Sequence, residues 1–177
     1  MKNEKQLVII IEGTNKSGKT TLVNFIKETF PEKLFEVIKC SQPKDGDAFT
    51  EYKNILNWIN KNPNKSYIID RFHFGSYVYG PIYRGQPDFG LDKFVEIELE
   101  IEKLNYIFIL AIADKSFIRK KFIEDKEEFA KIELIDEEIK HFNNIKRKSR
   151  LTIINHNIPK NDLTKNNNLI NLIKMYG

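Results

Sequence analysis

The stretch Leu7-Val8-Ile9-Ile10-Ile11-Glu12-Gly13-Thr14-Asn15-Lys16-Ser17-Gly18-Lys19-Thr20-Thr21 decides the fold class. Leu7 to Ile11 form a continuous apolar, largely β-branched run bounded by polar residues. Such a run predicts a strand buried on both faces, as in a parallel sheet. Gly13, Gly18, Lys19 and Thr20 then satisfy the pattern G-x-x-x-x-G-K-[ST]. Leu22, Val23, Phe25, Ile26 and Phe30 recur at helical spacing as far as Pro31, where a helix must stop. The motif therefore sits on a strand–loop–helix corner, the setting in which it binds phosphate. A polyphosphate needs a concave row of backbone N–H donors at the positive end of a helix. Glycine at positions 13 and 18 allows the dihedrals that bring the backbone close. Lys19 is placed to reach the outer phosphates, and the Thr20 hydroxyl to ligate Mg²⁺.

Composition narrows the class further. A chain of 177 residues with 41% hydrophobic and 31% charged residues is of globular type and long enough to bury a core as one domain. No apolar run reaches membrane-spanning length. Met1 to Gln6 lack signal-peptide anatomy, and Cys40 is the lone cysteine, so a reducing cytoplasmic setting is expected. His73, His141 and His156 are too scattered for a zinc site. The net charge of +4 is spread along the chain among acids, which argues for a solvated surface rather than a nucleic-acid face.

The remaining chain alternates strand and helix patterns. Leu34 to Ile38 predict a second strand, followed by a polar loop containing Gln42 and Pro43. Phe49, Tyr52, Ile55, Leu56 and Ile59 predict a helix. Tyr67-Ile68-Ile69-Asp70 is a third strand ending in a carboxylate, the Walker B pattern; Asp70 emerges at the carboxyl edge of the sheet, where it can hold Mg²⁺. Arg71 follows, then an aromatic-rich segment with Phe74, Tyr79, Tyr83 and Arg84, suited to an anionic substrate that carries a ring. Residues 91–104 show both strand-like alternation and helical spacing; a parallel sheet needs a crossover here, which favours a helix. Tyr106 to Ile112 predict the fourth strand, and a basic helix with Arg119, Lys120, Lys121 and Lys126 follows as a potential lid over residues 114–130. Leu134 to Ile145 form a further helix, Leu151 to Ile154 the fifth strand, and the segment from Thr164 a terminal helix. This alternation predicts an α/β three-layer sandwich on a parallel sheet.

Four landmarks together resemble the thymidylate kinase-like members of the P-loop nucleoside and nucleotide kinases. They are Ile11-Glu12-Gly13 with its loop, Gln42-Pro43, Asp70-Arg71-Phe72 with Tyr79, and Ile109 to Asp114 before the basic helix. The resemblance implies a five-stranded sheet in the order 2-3-1-4-5, ATP and Mg²⁺ as reactants, and a possible homodimer. It implies transfer of the ATP γ-phosphate to a deoxynucleoside monophosphate, foremost dTMP to dTDP. In those terms Gly13, Asn15, Lys16, Ser17, Gly18, Lys19, Thr20 and Thr21 bind ATP, and Thr20 and Asp70 hold the metal. Lys19, Asp70, Arg71 and Arg119 are the catalytic candidates, and Gln42, Arg71, Phe74, Tyr79 and Arg84 the acceptor-binding ones. Asn15 and Lys16 stand where the family often has Asp and Arg, and Gln42 where it often has Glu. A nucleoside acceptor needs a general base near its 5′-hydroxyl, whereas a monophosphate is already anionic. Gln42 therefore favours the monophosphate over the alternative of a deoxynucleoside kinase. A nucleotide-binding regulatory module without an acceptor is the non-enzymatic alternative. The segment between strands two and three is short for a base-binding helix; Tyr52 and Trp58 are its aromatic candidates.

Overall fold

The computed structural model describes residues 6–41, 46–125, 131–157 and 167–176. Gln42, the end of the expected lid from Lys126, and the segment joining the fifth strand to the last helix lie outside them. The elements in chain order are β1 (Val8–Gly13), α1 (Lys19–Thr29), β2 (Glu36–Lys39), α2 (Ala48–Lys61), β3 (Tyr67–Asp70), α3 (Phe74–Arg84), α4 (Leu91–Ile101), β4 (Tyr106–Ile112), α5 (Lys115–Asp125), α6 (Ile135–Lys148), β5 (Ile153–Asn157) and α7 (Asn167–Tyr176). The five strands pair in parallel in the order β2-β3-β1-β4-β5.

Burial explains the order. Every residue of β1 and β3 is buried, and β4 is buried from Ile107 to Ala111, as three central strands require. The edge strands β2 and β5 carry partly exposed and polar positions instead. Alternate residues feed two cores. Val8, Ile10, Tyr67, Ile69, Phe108 and Leu110 face α2, α3, α4 and α6. Ile9, Ile11, Ile68, Ile107 and Ile109 face α1 and α7 through Leu22, Ile26, Leu169 and Ile173. Residues 91–101 are helical, as the crossover argument required: Phe94, Ile97 and Ile101 line one buried face of α4. Among the described residues no helix is long and apolar enough to cross a membrane.

Two strand boundaries differ from the periodicity. Pairing of β2 begins at Glu36, because Leu34 is left-handed (φ 47°) and solvent-exposed, ending a turn rather than starting a strand. Pairing of β5 begins at Ile153 opposite Phe108 and runs through Asn155, His156 and Asn157; Leu151 is buried but lies before the ladder. An edge strand accepts such polar residues because one side of it meets water.

Phe74 was expected to meet the acceptor, but it is fully buried in the core. Its ring packs against Phe108 at 4.8 Å and Phe94 at 5.7 Å. Phe74→Ala is accordingly expected to lower stability by about 3–5 kcal/mol, with Phe74→Leu costing much less. Denaturant unfolding of the two variants checks this.

Candidate active site

The carboxyl ends of β1 and β3 and the first turn of α1 enclose a cleft of about 400 Å³. Its walls are Asn15, Lys16, Ser17, Gly18, Lys19, Thr20 and Thr21 from the loop and α1, Lys39 from β2, Asp70 from β3 and Arg71 directly after it, and Phe117 and Lys121 from α5. Strand pairing sets the depth: Ile11 lies opposite both Asp70 and Ile109, so the loop leaves the sheet beside the Asp70 carboxylate. Lys39 is in register with Asp70, one strand further out.

Two glycines make the loop possible. Gly13 has φ 148°, and a Cβ there would lie 2.2 Å from the Ala111 carbonyl oxygen. Gly18, at φ 90°, is the residue from which α1 starts. Lys19 Nζ donates to the carbonyl oxygens of Gly13 (2.9 Å) and Thr14 (2.7 Å), so the ammonium is folded into the loop's own curve. Burial, and next the Arg71 guanidinium, lower Lys19 to about 8. Thr14 Oγ1, Ser17 Oγ and Asp70 Oδ1 are buried and find no hydrogen-bond partner among the described residues. Buried polar atoms left in this way around one loop point to a ligand that satisfies them. Asp70 Oδ1 and the Thr20 hydroxyl are an oxygen donor pair of the kind Mg²⁺ shares with phosphates.

Arg71 is left-handed (φ 67°), a backbone state that costs a β-substituted residue energy and is kept where surrounding contacts over-determine it. Its backbone N–H donates to the Ile11 carbonyl (2.9 Å), its Nη2 donates to Asn15 Oδ1 (3.1 Å), and its guanidinium lies 5.9 Å from the centre of the Tyr79 ring. Tyr79 Oη donates to the Gly13 carbonyl (3.2 Å). Lys19, Asp70, Arg71, Tyr79 and the loop residues are thus brought together.

Arg84 and Arg119 are not. Arg84, at the far end of α3, donates through Nε and Nη2 to the Asp88 carboxylate at 2.8 and 2.9 Å, outside the cleft. On α5, Ile118 and Phe122 bury one stripe, and Phe117 and Lys121, one turn apart, face the cleft. Arg119 is exposed and lies roughly 200° around the helix from Phe117, so on α5 it is Lys121, not Arg119, that borders the cleft. Lys121 also pairs with Glu124 at 2.7 Å. Tyr52 is buried beside Ser76, and Trp58 packs on Tyr67 at the opposite edge of the sheet. Neither borders the cleft.

No protein-family profile and no curated protein sequence matches the chain. Solved structures do. The YorR protein from Bacillus subtilis, in complex with phosphorylated GDP, aligns with a TM-score of 0.75 at 19% identity, over 95% of this chain and 96% of that one. Deoxyadenosine kinase from M. mycoides with bound dCTP aligns at 0.61 and 13% identity, over 95% and 99%. Thymidylate kinase from Candida albicans aligns at 0.58 and 14%, over 98% and 94%. This chain has the P-loop kinase fold.

Within that fold, two buried carboxylates were missed in the sequence. Glu12, at the end of β1, accepts at Oε1 from the backbone N–H of Phe72 (2.8 Å), Phe74 (3.0 Å) and Gly75 (3.3 Å). It ties the P-loop strand to the first turn of α3. Glu138 of α6 accepts from Asn15 N at Oε2 (2.9 Å) and from Asn15 Nδ2 at Oε1 (2.8 Å). The signal for Glu138 was its position: with Ile135, Phe142 and Ile145 it falls on the apolar stripe of an amphipathic helix. Glu98 repeats the signal on α4. It is fully buried and bonded to His73, Ser149 and the Arg150 backbone N–H.

Burial pushes Glu12 up to about 7, against its backbone bonds and the nearby Lys19. A carboxyl raised on folding contributes stability that is fully present below about 4.5 and lost as pH rises through about 7. Glu12→Gln keeps the acceptor oxygen for the α3 amides and removes the charge. Its stability relative to the native chain is expected to rise by about 2–3 kcal/mol between pH 4.5 and pH 8. Thermal unfolding of both proteins across that range checks the slope.

Proposed function

We propose that the protein is an ATP-dependent kinase that phosphorylates a deoxynucleoside monophosphate, foremost dTMP. The observation that carries this reading is the inventory of the cleft wall. Lys16, Lys19, Lys39, Arg71 and Lys121 share the wall with one carboxylate, Asp70, and Glu124 offsets Lys121 from beside it, which leaves an excess of about three positive charges. Mg·ATP carries about two net negative charges, and an acceptor monophosphate adds about two more. Of the other carboxylates near the loop, Glu12 gives Oε1 to the backbone amides of the turn into α3, and Glu138 gives both oxygens to Asn15. On the described wall this leaves Asp70, which this reading gives to the metal, as the one carboxylate, so no second one stands there as a base for the neutral hydroxyl of a nucleoside acceptor. The fold shared with nucleotide and nucleoside kinases supports phosphoryl transfer; Tyr79, whose ring lies beside the Arg71 guanidinium, is the residue that the resemblance assigns to the deoxyribose.

In this reading the loop amides of Lys16, Gly18, Lys19 and Thr20 cradle the triphosphate, since the Asn15 amide is held by Glu138, and Lys19 turns its ammonium from the Gly13 and Thr14 carbonyls to the outer phosphates. Asp70 Oδ1 and Thr20 would hold Mg²⁺, which would supply positive charge to offset the negative charge developing on the phosphates. Arg71 grips the acceptor phosphate with a fork already braced by Asn15 and Tyr79. Lys121 of α5 and Lys16 of the loop stabilise charge on the transferred group. The γ-phosphoryl passes in line to the acceptor oxygen and ADP leaves; no covalent intermediate on the protein is formed.

The test is ADP release with Mg·ATP against nucleosides, nucleoside monophosphates and a 5′-hydroxyl oligonucleotide, with products identified by mass. A diphosphate from one monophosphate is expected. A monophosphate made from a nucleoside would move the assignment to a nucleoside kinase, and ATP binding without any product would leave a regulatory module. Lys19→Met is expected to abolish turnover without unfolding the chain. Arg71→Ala is expected to lower kcat/KM for the acceptor about 100-fold, largely through KM, with ATP affinity retained.

A further inference from the structure

We infer that Glu138 is a positioning residue: through Asn15 it sets the direction in which Arg71 presents its guanidinium to the acceptor. For its kinetic readout this rests on the kinase reading above. Three hydrogen bonds carry it. Glu138 uses one carboxylate oxygen for the Asn15 backbone N–H and the other for the Asn15 side-chain amide, and Asn15 Oδ1 accepts from Arg71 Nη2. A carboxamide has one donating and one accepting end, and a guanidinium only donates. With its NH₂ end held by Glu138, Asn15 must turn its oxygen to Arg71. The carboxylate is 1% exposed, on the buried stripe of α6. Tyr79 braces the other side of the guanidinium, and Phe142 of α6 packs on Tyr79 at 6.1 Å. The first turns of α6 thus hold Arg71 from both sides, one contact removed.

The same chemistry explains why position 15 is Asn. An Asp there would set two carboxylates against each other at about the 2.8 Å that now separates Asn15 Nδ2 from Glu138 Oε1. Like charges at that distance do not both stay ionised in a buried site. Asn15 and Glu138 form a matched donor–acceptor pair, and the match is reversible. Gln at 138 donates to Asp at 15 through its NH₂ while its oxygen still accepts the backbone N–H, and Asp at 15 still accepts from Arg71. Asn15→Asp alone opposes two acceptors, and Glu138→Gln alone opposes two donors.

The experiment compares Glu138→Gln, Asn15→Asp and the double variant, each confirmed as folded by thermal unfolding. KM and kcat are measured for the acceptor and, separately, for ATP. Each single variant is expected to raise acceptor KM about 10-fold or more with ATP KM within about 2-fold, and the double variant to return within about 3-fold of the native value. A purely structural role would move both KM values together and would leave the double variant as impaired as the worse single one; either result overturns the inference. The second readout does not need turnover: spectra of ¹⁵N-arginine-labelled protein, with the Arg71 guanidinium signal identified by its loss in Arg71→Lys. A restrained signal is expected in the native and double-variant proteins and not in the single variants; its absence from the native protein, or its persistence in both single variants, overturns the inference. A native enzyme that turns over no acceptor would refute the kinase reading and leave the labelled spectra to decide the relay.

Discussion

The cleft depends on one buried acceptor. Glu12 ends the central strand and receives three backbone N–H groups from the turn into α3. Those groups belong to a helix start that has no side-chain cap of its own. Buried amides without acceptors are costly, so the carboxylate is what allows a helix to begin directly behind the phosphate loop. It also fixes the distance from the loop to Asp70 and Arg71, since both ends of the contact lie within a few residues of them. The desolvation that raises Glu12 is opposed by Lys19 and Arg71, which draws the loop's cations toward the same point.

Around this anchor the chain stores strain at the reactive edge rather than in the core. Lys16 and Arg71 are left-handed, and both border the cleft. Such states persist when several contacts hold them, and Arg71 has the Ile11 carbonyl, the Asn15 amide and the Tyr79 ring. In the proposed kinase, a guanidinium pre-set in this way would lose little freedom on meeting a phosphate. The sheet beneath is closely packed: its three central strands are buried on both faces, and the helices above and below fill alternate side-chain rows. Precise placement at the edge and close packing below are parts of one arrangement.

Much of this was legible in the sequence because it follows from local periodicity. The apolar runs 7–11, 67–70 and 106–112 match strands that are buried on both faces, where nothing competes with hydrophobicity as the signal. The edge strands were less legible. Leu34 and Leu151 extended the apolar pattern beyond the ladder, while Asn155 to Asn157 pair despite being polar. Phe74 and Arg84 looked like ligand residues from composition alone. Their neighbours decide otherwise: an aromatic cage around Phe74, and Asp88 in the loop just past the end of α3 for Arg84.

By itself the sequence determined the phosphate loop, the carboxylate at the end of β3 and the alternation that makes a parallel sheet. Each is written within a few consecutive residues, where backbone geometry and side-chain spacing are coupled directly. Only the tertiary structure decided which charges meet. Glu138 lies 123 positions from Asn15, Glu12 lies 60 from Phe72, and Lys121 rather than Arg119 faces the cleft. Those pairings depend on the strand order and on how each helix is rotated against the sheet. Both are set by the sum of many apolar contacts across the fold, so no single stretch of chain contains them.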